Sequence, residues 1–254
     1  MNNLALLLEQ QGKLNEAEGL HRRALEGFES QLGPQHPYTL TAVNNLAFLL
    51  ETQGKLEEAE GLHRRALEGK ESQLGPQHPS TLVSVHNLAN LLHKQGKLEE
   101  AEGLQRRALE GRESQLGAQH PDTLKSANNL AVLLKQQGKL EEAEGLHRRA
   151  LEGCESQLGP QHPQTLTSVN NLALVLEKQG KLEEAEELYR TALTGREGQL
   201  GPEHPDTLSS VYNLADLLEA KGSFAEELHG PDAEEVRASR NNLERFQQEH
   251  GPVV

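Results

Sequence analysis

Tryptophan is absent from the 254 residues, and only three Tyr and four Phe are present. A core built on packed aromatic rings is therefore not available. Residues branched at Cβ are few, while Leu, Ala, Glu, Gln, Lys and Arg dominate. These are strong helix formers and poor strand formers, so the chain is expected to be helical. A single cysteine, Cys154, leaves no intrachain disulfide framework. No apolar run approaches the roughly 20 residues that span a bilayer. The opening MNNLALLLEQQGK has neither a basic n-region nor a small-residue cleavage site. A cytoplasmic protein is the expectation. Basic charge is also in short supply: 25 Lys and Arg face 39 Asp and Glu, for a net charge of −14. Residues 183–254 hold 16 acidic and 6 basic residues, so most of the excess sits there. Nucleic-acid binding needs basic surface and stacking aromatics, and an anionic membrane needs basic surface. Neither partner is expected.

What the chain has in abundance is itself. The tripeptide NNL, or a near variant, ends at Leu4, Leu46, Leu88, Leu130, Leu172 and Leu214, a spacing of 42 every time. Each unit reads as two helices. The first runs from about Pro37 to Gln53, with Leu40, Val43, Leu46, Ala47, Leu49 and Leu50 at helical spacing. Pro37 suits the first turn, and Gly54 suits the left-handed position just past the helix end. The second runs from about Leu56 to Gln73, its stripe formed by Leu56, Ala59, Leu62, Ala66 and Leu67, and Gly75-Pro76 stops it. A helix pair this short cannot bury its stripe alone; stacked copies bury a continuous core.

Leu46, Ala47, Leu50, Gly54, Ala59 and Ala66 stand at the signature positions of the tetratricopeptide repeat, which the chain resembles. The usual period is 34 residues. The longer variant, with QGKLEEAEGLxRRALE and LGPxHPxT, is similar to the repeats of kinesin light chains and nephrocystin-3. The resemblance implies an all-α, right-handed α-solenoid superhelix of tetratricopeptide-type helix pairs. It covers residues 1–221, with the first repeat truncated at its start. Residues 222–254 read as a degenerate last repeat and a capping helix. Between Gly222 and Gly230 there are thirteen residues fewer than between Gly180 and Gly201. GPDAEEVRASRNNLERF then reads as a last helix of the first type, with Glu234, Arg237 and Arg240 on a solubilising face. Kinesin light chains also carry a long heptad coiled coil for the heavy chain. No heptads occur here, so kinesin heavy chain is not an expected partner.

Several residue types invite a chemical reading. Five His-Pro pairs, at His36, His78, His120, His162 and His204, could suggest metal ligands. They recur one repeat apart, whereas ligands lie about 2 Å from a shared ion, so they read as marks of the turn into each first helix. His21, His63 and His147 stand where Tyr189 sits in the fifth unit and read as partly buried packing residues. Cys154 takes the place of Phe28, Lys70, Arg112 and Arg196, a variety that reads as an exposed position with no base to activate a thiol. Gly61, Gly69 and their copies lie inside the second helix, where they either permit close packing or lower stability. Identical side chains offered repeatedly suit a long surface and not a unique catalytic constellation. No enzyme activity, cofactor or metal is expected.

The expected site is the concave face that the resemblance assigns to the first helices. Asn45, Asn87, Asn129, Asn171 and Asn213 never vary. Beside them the sequence varies: Phe48, Asn90, Val132, Leu174 and Asp216 follow three places on, and Glu51, His93, Lys135, Glu177 and Glu219 three further. In the resembled families the second Asn of the motif bonds a peptide backbone, which suits a carboxamide with donors and an acceptor. Fixing the adjacent helix is the equal alternative. Lys125 is the one basic copy at the position where chaperone-binding relatives clamp a carboxylate, so a cochaperone role is not expected. The leading function is a non-catalytic adaptor or scaffold holding a protein or peptide segment, apolar in its middle and basic near Asp216. The alternatives are a self-assembling structural array and the sensor segment of a larger signalling protein. A weak homodimer through the apolar face of Leu4, Leu7 and Leu8 is also expected.

Overall fold

The computed structural model describes residues 7–8, 11–229 and 234–250, with side chains described outside 224–240. Leu4 and the side chains of Glu234, Arg237 and Arg240 lie outside the described residues. The described residues are helical with no strand. The chain forms two compact units, Met1–Ser126 and Ala127–Val254. The helices in order are α1 (Leu14–Leu32), α2 (Pro37–Thr52), α3 (Leu56–Leu74), α4 (Pro79–Lys94), α5 (Leu98–Leu116), α6 (Pro121–Gln136), α7 (Leu140–Leu158), α8 (Pro163–Lys178), α9 (Leu182–Leu200), α10 (Pro205–His229) and α11 (Glu234–His250).

Local chemistry explains the boundaries. The His before each Pro is an N-cap: His36 Nδ1 accepts from the Tyr38 N–H at 3.2 Å, and His78, His120, His162 and His204 do the same for the residue two places on. The His-Pro pairs are helix starts, as the sequence suggested. At the other end Gly54 takes φ 78°. Its N–H bonds the Glu51 carbonyl at 3.1 Å while the Lys55 N–H reaches Leu50 at 2.9 Å. This is a Schellman closure, and it needs a residue without Cβ at the left-handed position.

In the first unit the core gathers Leu25, Val43, Leu46, Leu50, Ala59, Ala66 and Leu91. In the second it gathers Leu176, Tyr189, Leu193, Leu214, Leu218 and Phe246. The helical glycines divide into two kinds. A Cβ on Gly61 would meet nothing within 4 Å, so that position only lowers helix stability. A Cβ on Gly69 would lie 2.6 Å from Leu40 Cδ2, and Gly111 and Gly195 meet Leu82 and Leu166 in the same way. There the missing Cβ lets the first helix's leucine press on the second.

Charge is organised between repeats as well. In the first unit Glu18 receives Lys55 at 2.7 Å and Arg22 at 2.9 Å, and Arg22 reaches on to Glu58. Glu60, Lys97, Arg64 and Glu100 repeat the pattern, as do Glu144, Lys181, Arg148 and Glu184 in the second unit. The Lys55 ammonium, with Arg22 behind it, holds the Glu18 carboxyl down to about 2.

Two sequence expectations are corrected. Cys154 is buried, 4% exposed, not at the surface. Its position faces the first helix of the next repeat, and the contact there tolerates varied chemistry. Lys70 bonds Ser84 Oγ at 2.8 Å, Arg112 bonds Ser126 and Arg196 bonds Ser210 at 2.7 Å. Ser168 Oγ meets Cys154 Sγ at 3.8 Å. The second correction concerns the last helix. α10 continues through position 222 without the left-handed glycine that ends its counterparts. α11 packs on α10, and His250 at its end meets Glu197 at the end of α9, 3.2 Å apart. α11 thus runs in the sense of α9, a second-type helix, and Phe246 inserts into the core at 2% exposure. The segment expected to be a first-type helix closes the last pair instead.

Candidate binding face of the first helices

Within the first unit, Phe48, Glu51 and Thr52 of α2 and Asn87, Asn90, His93 and Lys94 of α4 line one open cleft of ≈ 390 Å³. Three of the sequence-predicted residues, Phe48, Asn87 and Asn90, meet here. Phe48 is 47% exposed, its ring set edge-on to His63 with centroids 5.4 Å apart. The Glu51 carboxylate is already engaged. His63 Nε2 lies 2.8 Å from one oxygen and Lys94 Nζ 2.9 Å from the other. Burial works to raise its pKa, but the His63 and Lys94 hydrogen bonds outweigh it and the value is lowered. Asn90 is bound too: Gln105 Nε2 donates to its Oδ1 at 2.9 Å, and its Nδ2 lies 3.0 Å from His86 Nε2. Burial, with the Arg112 charge behind it, lowers the His86 pKa and keeps the ring neutral. What the cleft leaves open is therefore an aromatic face and the half-buried Asn87 carboxamide.

The invariant Asn residues do not all have the same surroundings. In the second unit Asn171 Nδ2 donates to Asn128 Oδ1 at 3.1 Å, and Asn213 Nδ2 to Asn170 Oδ1 at 3.0 Å. These bonds tie successive first helices together, which is the structural role the sequence left as an alternative. In the first unit the corresponding acceptor, Asn44 Oδ1, is buried without a hydrogen-bond partner. Asn45 and Asn129 are half-buried on their helices. Val132 and Leu174 are half-buried, Lys125 and Asp216 are exposed, and Lys135 is half-buried. The structure places no two of these last five in one described pocket.

Sequence reasoning missed how the second helices take part. His63 and His147 are fully buried and His21 nearly so, in keeping with packing. Yet His63, and Tyr189 at the same place in the fifth repeat, each bond the variable residue near the end of their own first helix. Glu51 pairs with His63, and Glu177 Oε2 accepts from Tyr189 Oη at 2.7 Å. The signal in the sequence was no more than a polar residue at each of two positions twelve apart, Glu51 with His63 and Glu177 with Tyr189. Among the described residues no helix is long and apolar enough to cross a membrane, and no group of three His, Cys, Asp or Glu is placed to hold a metal.

Several findings place the chain among known proteins. The Tetratricopeptide repeat family matches residues 1–72, 41–114, 80–156, 122–198 and 164–228. A crystal structure of a Podosopora anserina kinesin light chain-like protein with nearly identical TPR-like repeats is 27% identical, with a TM-score of 0.72. The match covers 78% of this chain and 93% of that one. BtubC (BKLC) from P. vanneervenii superposes with a TM-score of 0.69 at 24% identity, over 95% of this chain and 93% of that one. Pseudomonas aeruginosa pilF gives 0.56 at 20% identity, over 94% and 95%; these last two share the fold alone. No curated relative matches at the sequence level. Tetratricopeptide repeats generally mediate protein–protein interaction. The helix-pair architecture, the 42-residue period and the family match along the chain agree: this all-α solenoid belongs to the tetratricopeptide repeat family, and its structural neighbours are kinesin light chain-like.

Proposed function

We propose that the chain is a non-catalytic adaptor or scaffold that holds a protein segment, extended or helical, against the Asn-bearing face of its first helices. The observation that carries this reading is the cleft at Phe48 and Asn87. A half-exposed phenylalanine stands beside a carboxamide at the one described step where the ladder acceptor, Asn44 Oδ1, goes unpartnered. A carboxamide can both donate to and accept from a peptide unit without regard to its side chain. Phe48 adds an aromatic anchor, and a few such anchors carry most of the binding energy of an interface. The near-identity of the repeats fits a long recognition surface, and the family generally works by binding proteins.

The reading is tested with a phage-displayed library of 12-residue peptides selected on the full chain. Recovered peptides are expected to lose at least tenfold in affinity for a Phe48→Ala, Asn87→Ala double variant whose melting curve matches that of the parent. A tenfold loss corresponds to about 1.4 kcal/mol, within reach of one buried contact and one hydrogen bond. Unchanged affinity in the folded variant would contradict the assignment of this face.

A further inference from the structure

In the second repeat Glu51 is the hub of a three-part contact, taking His63 at 2.8 Å on one oxygen and Lys94 at 2.9 Å on the other. The 42-residue period carries those three places through the chain. In the third repeat they hold His93, Gln105 and Gln136, and in the fifth Glu177, Tyr189 and Ala220. In the fourth they hold Lys135, His147 and Lys178. All three are basic, and the carboxylate that joins them in the second repeat is missing.

The consequences are visible in the second unit. His147 is 0% exposed, and neither of its ring nitrogens has a hydrogen-bond partner. Burial first, and the Lys135 charge second, bring its pKa down to about 4, so the ring is neutral near pH 7. Lys135 is half-buried; burial and then Lys178 lower its pKa, while Glu177 works the other way. Glu177 is held elsewhere by the Tyr189 hydroxyl at 2.7 Å. Two like charges, half-buried Lys135 and exposed Lys178, are thus set together on the first helices, beside a buried imidazole with unused hydrogen-bonding groups. Leaving such groups unpaired is costly.

We propose that Lys135 and Lys178 form an anion site for the carboxylate of an Asp or Glu side chain on a bound protein segment, which takes the place that Glu51 fills in the second repeat. This deepens the peptide-binding reading and rests on it. Charge complementarity names the occupant. The same chain shows that a carboxylate suits this spot, because it places one there when the flanking residues are His63 and Lys94. A charge-assisted bond to a half-buried lysine is stronger than one to a solvated lysine.

The test uses the same 12-residue displayed library on the full chain and on two variants, Lys135→Gln with Lys178→Gln, and Lys135→Glu. Peptides selected on the parent chain are expected to share an Asp or Glu at one position, and changing it to Asn or Gln should weaken binding at least tenfold. In the double Gln variant acid and amide peptides should bind equally. Lys135→Glu supplies the carboxylate from within, so it should raise the melting temperature and reject the acidic peptides. A residue with only a structural role would not couple peptide preference to its own charge. An acid-to-amide penalty that persists in the double Gln variant overturns the site, as do selected peptides with no common acidic position. A library that yields no binder on any of the three proteins overturns the peptide-binding reading along with it.

Discussion

The two kinds of helical glycine give the same substitution opposite signs. At Gly61 an added Cβ meets nothing within 4 Å, and the backbone is already helical. Ala there should gain close to the full propensity difference, about 1 kcal/mol. Gly103 and Gly145 have the same open surroundings, so Ala at all three should gain about 2–3 kcal/mol if the sites act independently. At Gly69 the same propensity gain is opposed by a clash: the new Cβ would lie 2.6 Å and 2.9 Å from the two methyls of Leu40. Gln35 Oε1, at 2.7 Å, is the end of an exposed chain and can swing away. Leu40 cannot, being 1% exposed and enclosed in the core. Overpacking of this kind costs about 1–3 kcal/mol, so Gly69→Ala should come out neutral to destabilising by about 2 kcal/mol. Urea unfolding followed by circular dichroism reads both, as a midpoint shift at unchanged slope. Equal midpoints for Gly61→Ala and Gly69→Ala would refute the packing argument.

Other expectations follow from the polar contacts. The Glu18, Glu60 and Glu144 carboxyls are held down to about 2 by their lysine and arginine partners, against an unfolded value near 4.3. Their contribution is therefore present above about pH 4.3 and is lost as pH falls toward 2. Glu60→Gln should flatten the acid limb of a stability–pH profile, and an unaltered limb would count against the ladder. Asn171→Ala leaves the half-buried Asn128 Oδ1 without its donor and should cost about 1 kcal/mol, whereas Asn87→Ala, with no such acceptor to orphan, should leave the melting curve in place. Cys154 should react with a thiol reagent only as fast as the second unit opens, and immediate labelling of the native protein would contradict its burial.

Much of the fold was legible because it is written in local chemistry. His36-Pro37 sets a helix start, Gly54 a reversal, and the leucine spacing a buried stripe, and none of these needs knowledge of distant residues. What escaped the sequence depends on contacts between elements. The variety at Phe28, Lys70, Arg112, Cys154 and Arg196 suggested exposure. A slot against the next first helix, closed over Cys154 and Arg196 and half-open at the other three, accepts all five because its partner is a small residue, Ala42 or a serine. The Asn242-Leu243 pair suggests a first-type last helix, but its direction is fixed by Phe246 and His250 packing against α9 and α10. At the candidate face, Phe48 and Asn87 were found by comparing repeats. The buried half of each contact was not, because a His or Tyr at this second-helix position reads as packing alone.

The central claim is that partners lie on the first helices, and site-specific photocrosslinking tests it most directly. A p-benzoylphenylalanine at position 48 in α2 is compared with one at position 61, on the exposed side of α3. With a peptide selected on the parent chain, position 48 should crosslink efficiently and position 61 should not. Crosslinking confined to position 61 would place the partner on the second helices and contradict the account.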